Sequence, residues 1–215
     1  MSLRYIGLKT DMIRSRTLGE RNKVQELFLT AADRMNAEFH LCFESGFIVT
    51  HGDEAQALIK IESVDSVYQM IEALVEMMEP IELRFGLGCG TLNTKVQEMA
   101  IGMDGEVWQN AKKAIDIARR SHQIVCLRGF HPEEEQALEA LANLLLFLHK
   151  HWTSEQLEVI RIIRTGQAQA AIARMLKVSE AAISKRLSAA GWRQYEDGRD
   201  AFQKFWAKAI LMQEG

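Results

Sequence analysis

The stretch FIVTHGDEAQALIKI, residues 47–61, decides the fold. Residues 47–50 are a short apolar and β-branched run, and residues 57–61 are another. The HGDE between them has turn chemistry: glycine accepts turn geometry without strain, and aspartate bonds to nearby backbone. The two runs therefore read as a hairpin of the second and third strands. On the N-terminal side, Val24, Leu27, Phe28, Ala31, Ala32, Met35 and Phe39 repeat at helical spacing. Before them, YIGL at residues 5–8 reads as a first strand ending near Asp11. On the C-terminal side, Val67, Met70, Ile71, Leu74, Val75 and Met78 mark a helix stopped near Pro80. IELRFGLGCG, residues 81–90, is a strand with glycines at its end. Val107, Ala111, Ala114, Ile115 and Ala118 mark a further helix, and IVCL at 124–127 a last strand. The order β-α-β-β-α-β-α-β predicts an α+β fold: a ferredoxin-like βαββαβ core with an added helix and strand. From Pro132 the chain reads as helical, with breaks near Thr153, Gly166, Val178 and Gly191. The expected organisation is a domain over residues 1–130, a connecting helix over 131–150 and a small all-α domain over 151–215.

Composition narrows the function classes. Of 215 residues, 47% are hydrophobic and 26% charged, ordinary values for a folded globular chain. The longest nearly apolar stretch, residues 141–148, is broken by Asn143 and is far too short for a membrane span. Cys42, Cys89 and Cys126 are odd in number and contain no CxxC pair, so a disulfide scaffold or cysteine zinc site is a poor reading. His51 and the other histidines show no ligand spacing. The N-terminal MSLRYIGLKTD lacks a basic-then-apolar signal segment, and a reduced, cytoplasmic setting is expected. Charge is uneven. Residues 1–149 hold 15 Lys and Arg against 22 Asp and Glu, whereas residues 150–215 hold 11 against 7. A basic tail behind an acidic body points to a polyanion partner for the tail.

That tail contains QAAIARMLKVSEAAISKRLSAA, residues 169–190. Ala170, Ala173 and Leu176 share one face of a first helix, Ser179 is positioned as N-cap of a second, and Ile183 and Leu187 lie four apart on its inner face. Trp152, Leu157, Ile160 and Ile163 supply a supporting helix, with Trp192 closing the core. This is the helix-turn-helix pattern, whose second helix enters a major groove. Lys177 stands where such turns usually carry glycine and is expected at positive φ. Gln169, Ser179, Ser184, Lys185, Arg186 and Ser188 are the candidate contacts to double-stranded DNA. Glu180 is adverse there, since it would face phosphates. A hairpin that only mediates dimerisation would fit the same pattern, but with a more apolar outer face.

The acidic body carries a second candidate. In a β-α-β-β arrangement the first and second strands run parallel with the third between them. The end of the first strand and the hairpin then share one edge of the sheet, which brings Asp11 close to Asp53, with Glu54 in the same hairpin. Neighbouring carboxylates repel unless a proton or cation lies between them, and hard ions such as Mg²⁺ prefer oxygen donors. A hairpin turn and a local cap would equally account for these residues. Arg84 with Gly86, Gly88 and Gly90 is a further feature, since glycines on a strand admit a ligand or a packed backbone. The TLNT at 91–94 offers hydroxyls and amides to a phosphate, and the GMDG at 102–105 reads as the turn opening the third helix.

These segments carry a resemblance. The DMIRSR at 11–16, Arg21 with Gln25, the GDEAQ at 52–56, the RFGLGCG at 84–90, the GMDG at 102–105 with Ala111, and the tail helix-turn-helix resemble the SatD family of bacterial proteins over nearly the whole chain. That family more often has an aromatic residue at the Ala55 position and glycine at the Thr10 position. More distantly, the first 120 residues resemble class III nucleotidyl cyclases. The resemblance implies metal aspartates at Asp11 and Asp53, and an Arg-x-Gly-x-x-x-Gly strand at Arg84, Gly86 and Gly90. It makes Asn110 and Lys113 approximate counterparts of an Asn and Arg that handle ribose and phosphate. No counterpart of the purine-selecting residues is present. A homodimer is expected by resemblance alone, because those enzymes build their sites between two subunits. The leading expectation is a DNA-binding regulator whose nucleotidyl-cyclase-like domain senses a ligand or dimerises. The alternative is a Mg²⁺-dependent nucleotide-binding or nucleotidyl-transfer enzyme, with Asp11, Asp53 and Glu54 on the metal and Arg84, Gly88, Gly90, Asn110 and Lys113 at the nucleotide.

Overall fold

A computed structural model describes residues 4–13 and 21–211. The elements are β1 Arg4–Met12, α1 Arg21–Glu38, β2 Phe43–His51, β3 Glu54–Lys60, a 3-10 segment Ile61–Ser66, α2 Val67–Met78, β4 Leu83–Thr91, α3 Glu106–Ser121, β5 Val125–Arg128, α4 Pro132–Lys150, α5 Ser154–Ile163, α6 Gln169–Leu176, α7 Glu180–Ala189 and α8 Trp192–Leu211. The result is a mixed α/β structure. It divides into two compact units, residues 1–143 with 202–215, and residues 144–201. No helix among the described residues is long and apolar enough to cross a membrane. Arg14, Ser15 and Arg16, part of the family-like segment, lie outside the described residues.

The first unit holds one five-stranded sheet in the order β2-β3-β1-β4-β5. β1 is antiparallel to both β3 and β4, β2 is antiparallel to β3, and β5 is parallel to β4. β1 is thus central and parallel to β2, with β3 between them. Side chains alternate between the two faces. On one face Ile6, Leu8, Ala57, Ile59, Phe85 and Leu87 are at most 1% exposed. This is the main core, and α1 and α2 contribute Phe28, Met35, Met70, Ile71 and Leu74 to it. Phe202 packs at a tilt against Tyr68 and Trp206 edge-on against Phe130, so the end of α8 joins the same unit.

The other face is covered by α3, and the reason is in the glycines of β4. A Cβ at Gly88 would fall far inside van der Waals distance of the Ala111 backbone, one at Gly86 would strike Ile115, and one at Gly90 would lie 2.7 Å from the Val107 nitrogen. Three glycines at alternate positions therefore leave a smooth track on which α3 lies backbone-close. Val107, Trp108, Ala111, Ala114, Ile115 and Ala118 are its buried stripe. The turn at 102–105 opens α3 as expected: Gly102 has φ 71°, and Gly105 caps the helix. Thr94 Oγ1 accepts from the Asp104 amide at 3.0 Å, which ties the 91–94 segment to that turn.

Three strands are longer than their apolar runs. β1 continues to Met12, so Asp11 sits inside the strand with a partner on each side, opposite Glu54 and Arg84. Glu54 opens β3 rather than belonging to the turn. β2 begins at Phe43, and its pairing with β3 shifts register at several points. Those irregularities break the strict alternation that would have marked residues 43–46 as strand.

In the second unit α5, α6 and α7 pack together on Val159, Ile160, Ile172, Ala173, Ile183 and Leu187, all buried. α5 opens with a capping box between Thr153 and Gln156. Trp152 precedes that cap and donates its indole N–H to Ala190 O at 2.8 Å. Arg164 lies within 5.9 Å of the rings of Trp152, Trp192 and Tyr195, a cation held against three aromatic faces. The α6–α7 turn follows the pattern read from its residues. Lys177 is left-handed at φ 54°, ψ 42°, and the Ser179 hydroxyl accepts from the Ala182 amide at 3.2 Å.

Candidate functional site

Strand pairing sets Glu54, Asp11 and Arg84 side by side on the α3 face of the sheet, since residues directly opposite in a ladder project the same way. The next row inward is Gln56, Lys9 and Gly86. Asp11 is 3% exposed and would be costly there without compensation. Arg84 Nη1 donates to both of its carboxylate oxygens, at 3.0 and 3.2 Å. From the last turn of α3, Arg119 Nη2 donates to Asp11 Oδ2 at 2.5 Å. The same Nη2 is 3.6 Å from Glu54 Oε1, and Arg119 Nη1 is 3.7 Å from Asp116. The hydrogen bond to Asp11 leads the causes that push the Arg119 pKa up.

Lys9 completes the rim. Its ammonium donates to Gln56 Oε1 and lies 5.7 Å from the Trp108 ring centre. Burial pulls its pKa down, partly offset by Glu54. Lys112 reaches Asp116 at 2.9 Å one turn before Arg119. The rim is thus a compact set of opposite charges that neutralise one another.

The hairpin joins this rim through the main chain: the Met12 amide donates to Asp53 O at 2.9 Å. Asp11, Asp53 and Glu54 do not bring three carboxylate oxygens within 4.8 Å of one another. What converges is the pair Asp11 and Glu54, on a single guanidinium nitrogen. Of the residues expected at a nucleotide, Arg84 faces the rim. The open sides of Gly88 and Gly90 are taken by α3, so the close approach they allow is that of a helix. Asn110 Nδ2 donates to Cys89 O at 2.8 Å and fixes α3 on β4. Lys113 is exposed on α3. Arg119 and Lys9 escaped the sequence reading. An Arg-Arg pair ending a helix has an ordinary explanation in the helix dipole, and nothing local links residue 119 to residue 11.

On the second unit, Ile183 and Leu187 of α7 face inward, while Glu180, Ser184, Lys185 and Ser188 are exposed and Arg186 is half-buried. Gln169 is exposed at the start of α6, and the Ser179 side chain is engaged as a cap.

The SatD family model matches residues 5–205. No curated protein matches the chain. Solved structures similar to part of it include a bacterial light-regulated adenylyl cyclase, at 11% identity and TM-score 0.44 over 58% of this chain and 74% of that one. A second is the guanylate cyclase domain of RhGC from Catenaria anguillulae in complex with GTP, at 13% identity and TM-score 0.42 over 54% and 73%. The adenylyl cyclase CyaB from P. aeruginosa follows at 12% identity and TM-score 0.39 over 53% and 71%.

Proposed function

The chain belongs to the SatD family, and on that premise we propose that its sheet domain binds a nucleoside triphosphate with Mg²⁺, with nucleotidyl transfer as its reaction class. One observation carries the reading: Asp11 and Glu54 converge on one cationic nitrogen beside the nearly buried Arg84. A rim that balances carboxylates against guanidinium groups suits a ligand that is itself a paired cation and polyanion. Asp11 and Glu54 take the cation, with Asp53 next to them on the hairpin. Arg84, held rigid from the neighbouring strand, faces the phosphate. A bound Mg²⁺ supplies Lewis-acid stabilisation of charge on the phosphate oxygens. The strand order 2-3-1-4 within the sheet supports a ferredoxin-like core. The cyclase resemblance of Asp11, the Gly52-Asp53 turn and the Arg84-x-Gly86-x-x-x-Gly90 strand supports the same reading. Calorimetric titration of the full chain with the Mg²⁺ complexes of ATP, GTP, CTP and UTP tests it. Binding that requires Mg²⁺ and is lost in Asp11→Asn supports the site, and pyrophosphate release lost in the same variant supports turnover. Heat-silent titration with all four triphosphates overturns the reading.

A specific observation favours a second activity on the other unit. The exposed side of α7 is polar and basic behind an apolar inner side, joined to α6 by a three-residue turn. We infer that α6 and α7 form a DNA-reading helix-turn-helix, with Gln169, Ser184, Lys185, Arg186 and Ser188 toward the duplex and Ser179 as its cap. Fluorescence anisotropy with a mixed-sequence duplex checks this. Affinity falls steeply between 50 and 200 mM salt, by roughly 10- to 1000-fold for a few phosphate contacts. The change Lys185→Ala with Arg186→Ala weakens it across sequences. No detectable binding at low salt overturns this second reading and leaves the first untouched.

A further inference from the structure

Asp11 is held by two arginines that differ in kind. Arg84 reaches it from the adjacent strand, directly opposite in the ladder, and its side chain is 12% exposed. Arg119 reaches it from the end of α3 on a side chain that is 48% exposed. Only Arg119 touches both carboxylates, and only Arg119 has another partner within reach, Asp116, one turn back on its own helix. A dication coordinated by Asp11 and Glu54 would lie within a few ångströms of Arg119 Nη2, where volume and like charge exclude both at once. Arg84 has no such freedom, and it compensates Asp11 whether Arg119 is present or not.

Building on the cation site proposed above, we propose that Arg119 is a built-in competitor for that site, a displaceable counter-cation that sets how tightly Asp11 and Glu54 hold a divalent ion. Its exposure makes departure easy, since a solvent-exposed guanidinium is rehydrated as it leaves. Asp116 gives it a place to go without leaving the rim. A neutral side chain at that position leaves the carboxylates to the metal.

Mn²⁺ binding to the full-length protein, read from the loss of the free-ion paramagnetic resonance signal, tests this without any turnover. Arg119→Gln is expected to bind Mn²⁺ about tenfold more tightly than the unsubstituted chain, the scale of removing one like charge from beside the ion. Arg119→Lys returns the affinity toward the original value. Asp11→Asn combined with Arg119→Gln abolishes the gain, which places the ion at that carboxylate. Circular dichroism confirms that each variant is folded. Equal or weaker Mn²⁺ binding by Arg119→Gln, with the unsubstituted chain binding the ion, overturns the competitor role and leaves the cation site standing. Absence of Mn²⁺ binding in both overturns the cation site and the competitor together.

Discussion

The sheet rim of the first unit and the α6–α7 turn of the second are built by opposite means. At the turn, each decisive interaction spans a few residues: Lys177 at positive φ, the Ser179 hydroxyl on the Ala182 amide, Ile183 and Leu187 four apart. At the rim, the decisive contacts link residue 11 to residues 84 and 119, far away in sequence. The turn is an arrangement of local preferences, each worth about 1 kcal/mol. The rim is one buried charge whose compensation arrives from elsewhere, and it stands or falls as a unit.

Substitutions separate the two regions by magnitude. Asp11→Ala leaves Arg84 nearly buried without its carboxylate and is expected to cost about 3–5 kcal/mol, read as a lower urea midpoint for the first unit. Gly88→Ala drives a methyl group into the Ala111 backbone and is expected to cost about 3 kcal/mol by forcing α3 off the sheet. At the turn, Ser179→Ala is expected to cost about 1 kcal/mol by removing the cap of α7, seen as faster amide exchange at Ala182. Lys177→Gly runs the other way and is expected to stabilise the second unit by about 1 kcal/mol, because glycine adopts the left-handed conformation without a Cβ penalty. If Ser179→Ala proved as damaging as Asp11→Ala, the contrast between the two regions would collapse.

The same contrast explains what could be read from the sequence. Helix breaks at Thr153, Gly166, Val178 and Gly191, the cap at Ser179 and the positive φ of Lys177 follow from residue preferences within one turn of chain. The meeting of the hairpin with Asp11 follows from topology, with Asp53 expected nearest and Glu54 found directly opposite in the ladder. Arg119 was out of reach. Its role depends on where the last turn of α3 falls on the sheet, which no local pattern encodes. The glycines of β4 were legible as a site of close approach, but not which object approaches. Small residues at alternate strand positions fit a packed helix as well as a ligand, and Ala111 and Ala114 on the facing stripe decide for the helix. The start of β2 at Phe43 was hidden for a different reason, since register shifts disturb its two-residue period.

The glycine track under α3 has a mechanical consequence. Helices that interlock through large side chains have their lengthwise position set by ridges fitting into grooves. Bare backbone offers no such teeth. Alongside the buried stripe of Val107, Trp108 and Ile115, two polar ties hold α3 to the sheet, the Asn110 amide on Cys89 near one end and the Arg119 guanidinium on Asp11 at the other. Of these two ties only the one from Arg119 comes from an exposed side chain, so it is the end of the helix open to exchange with solvent.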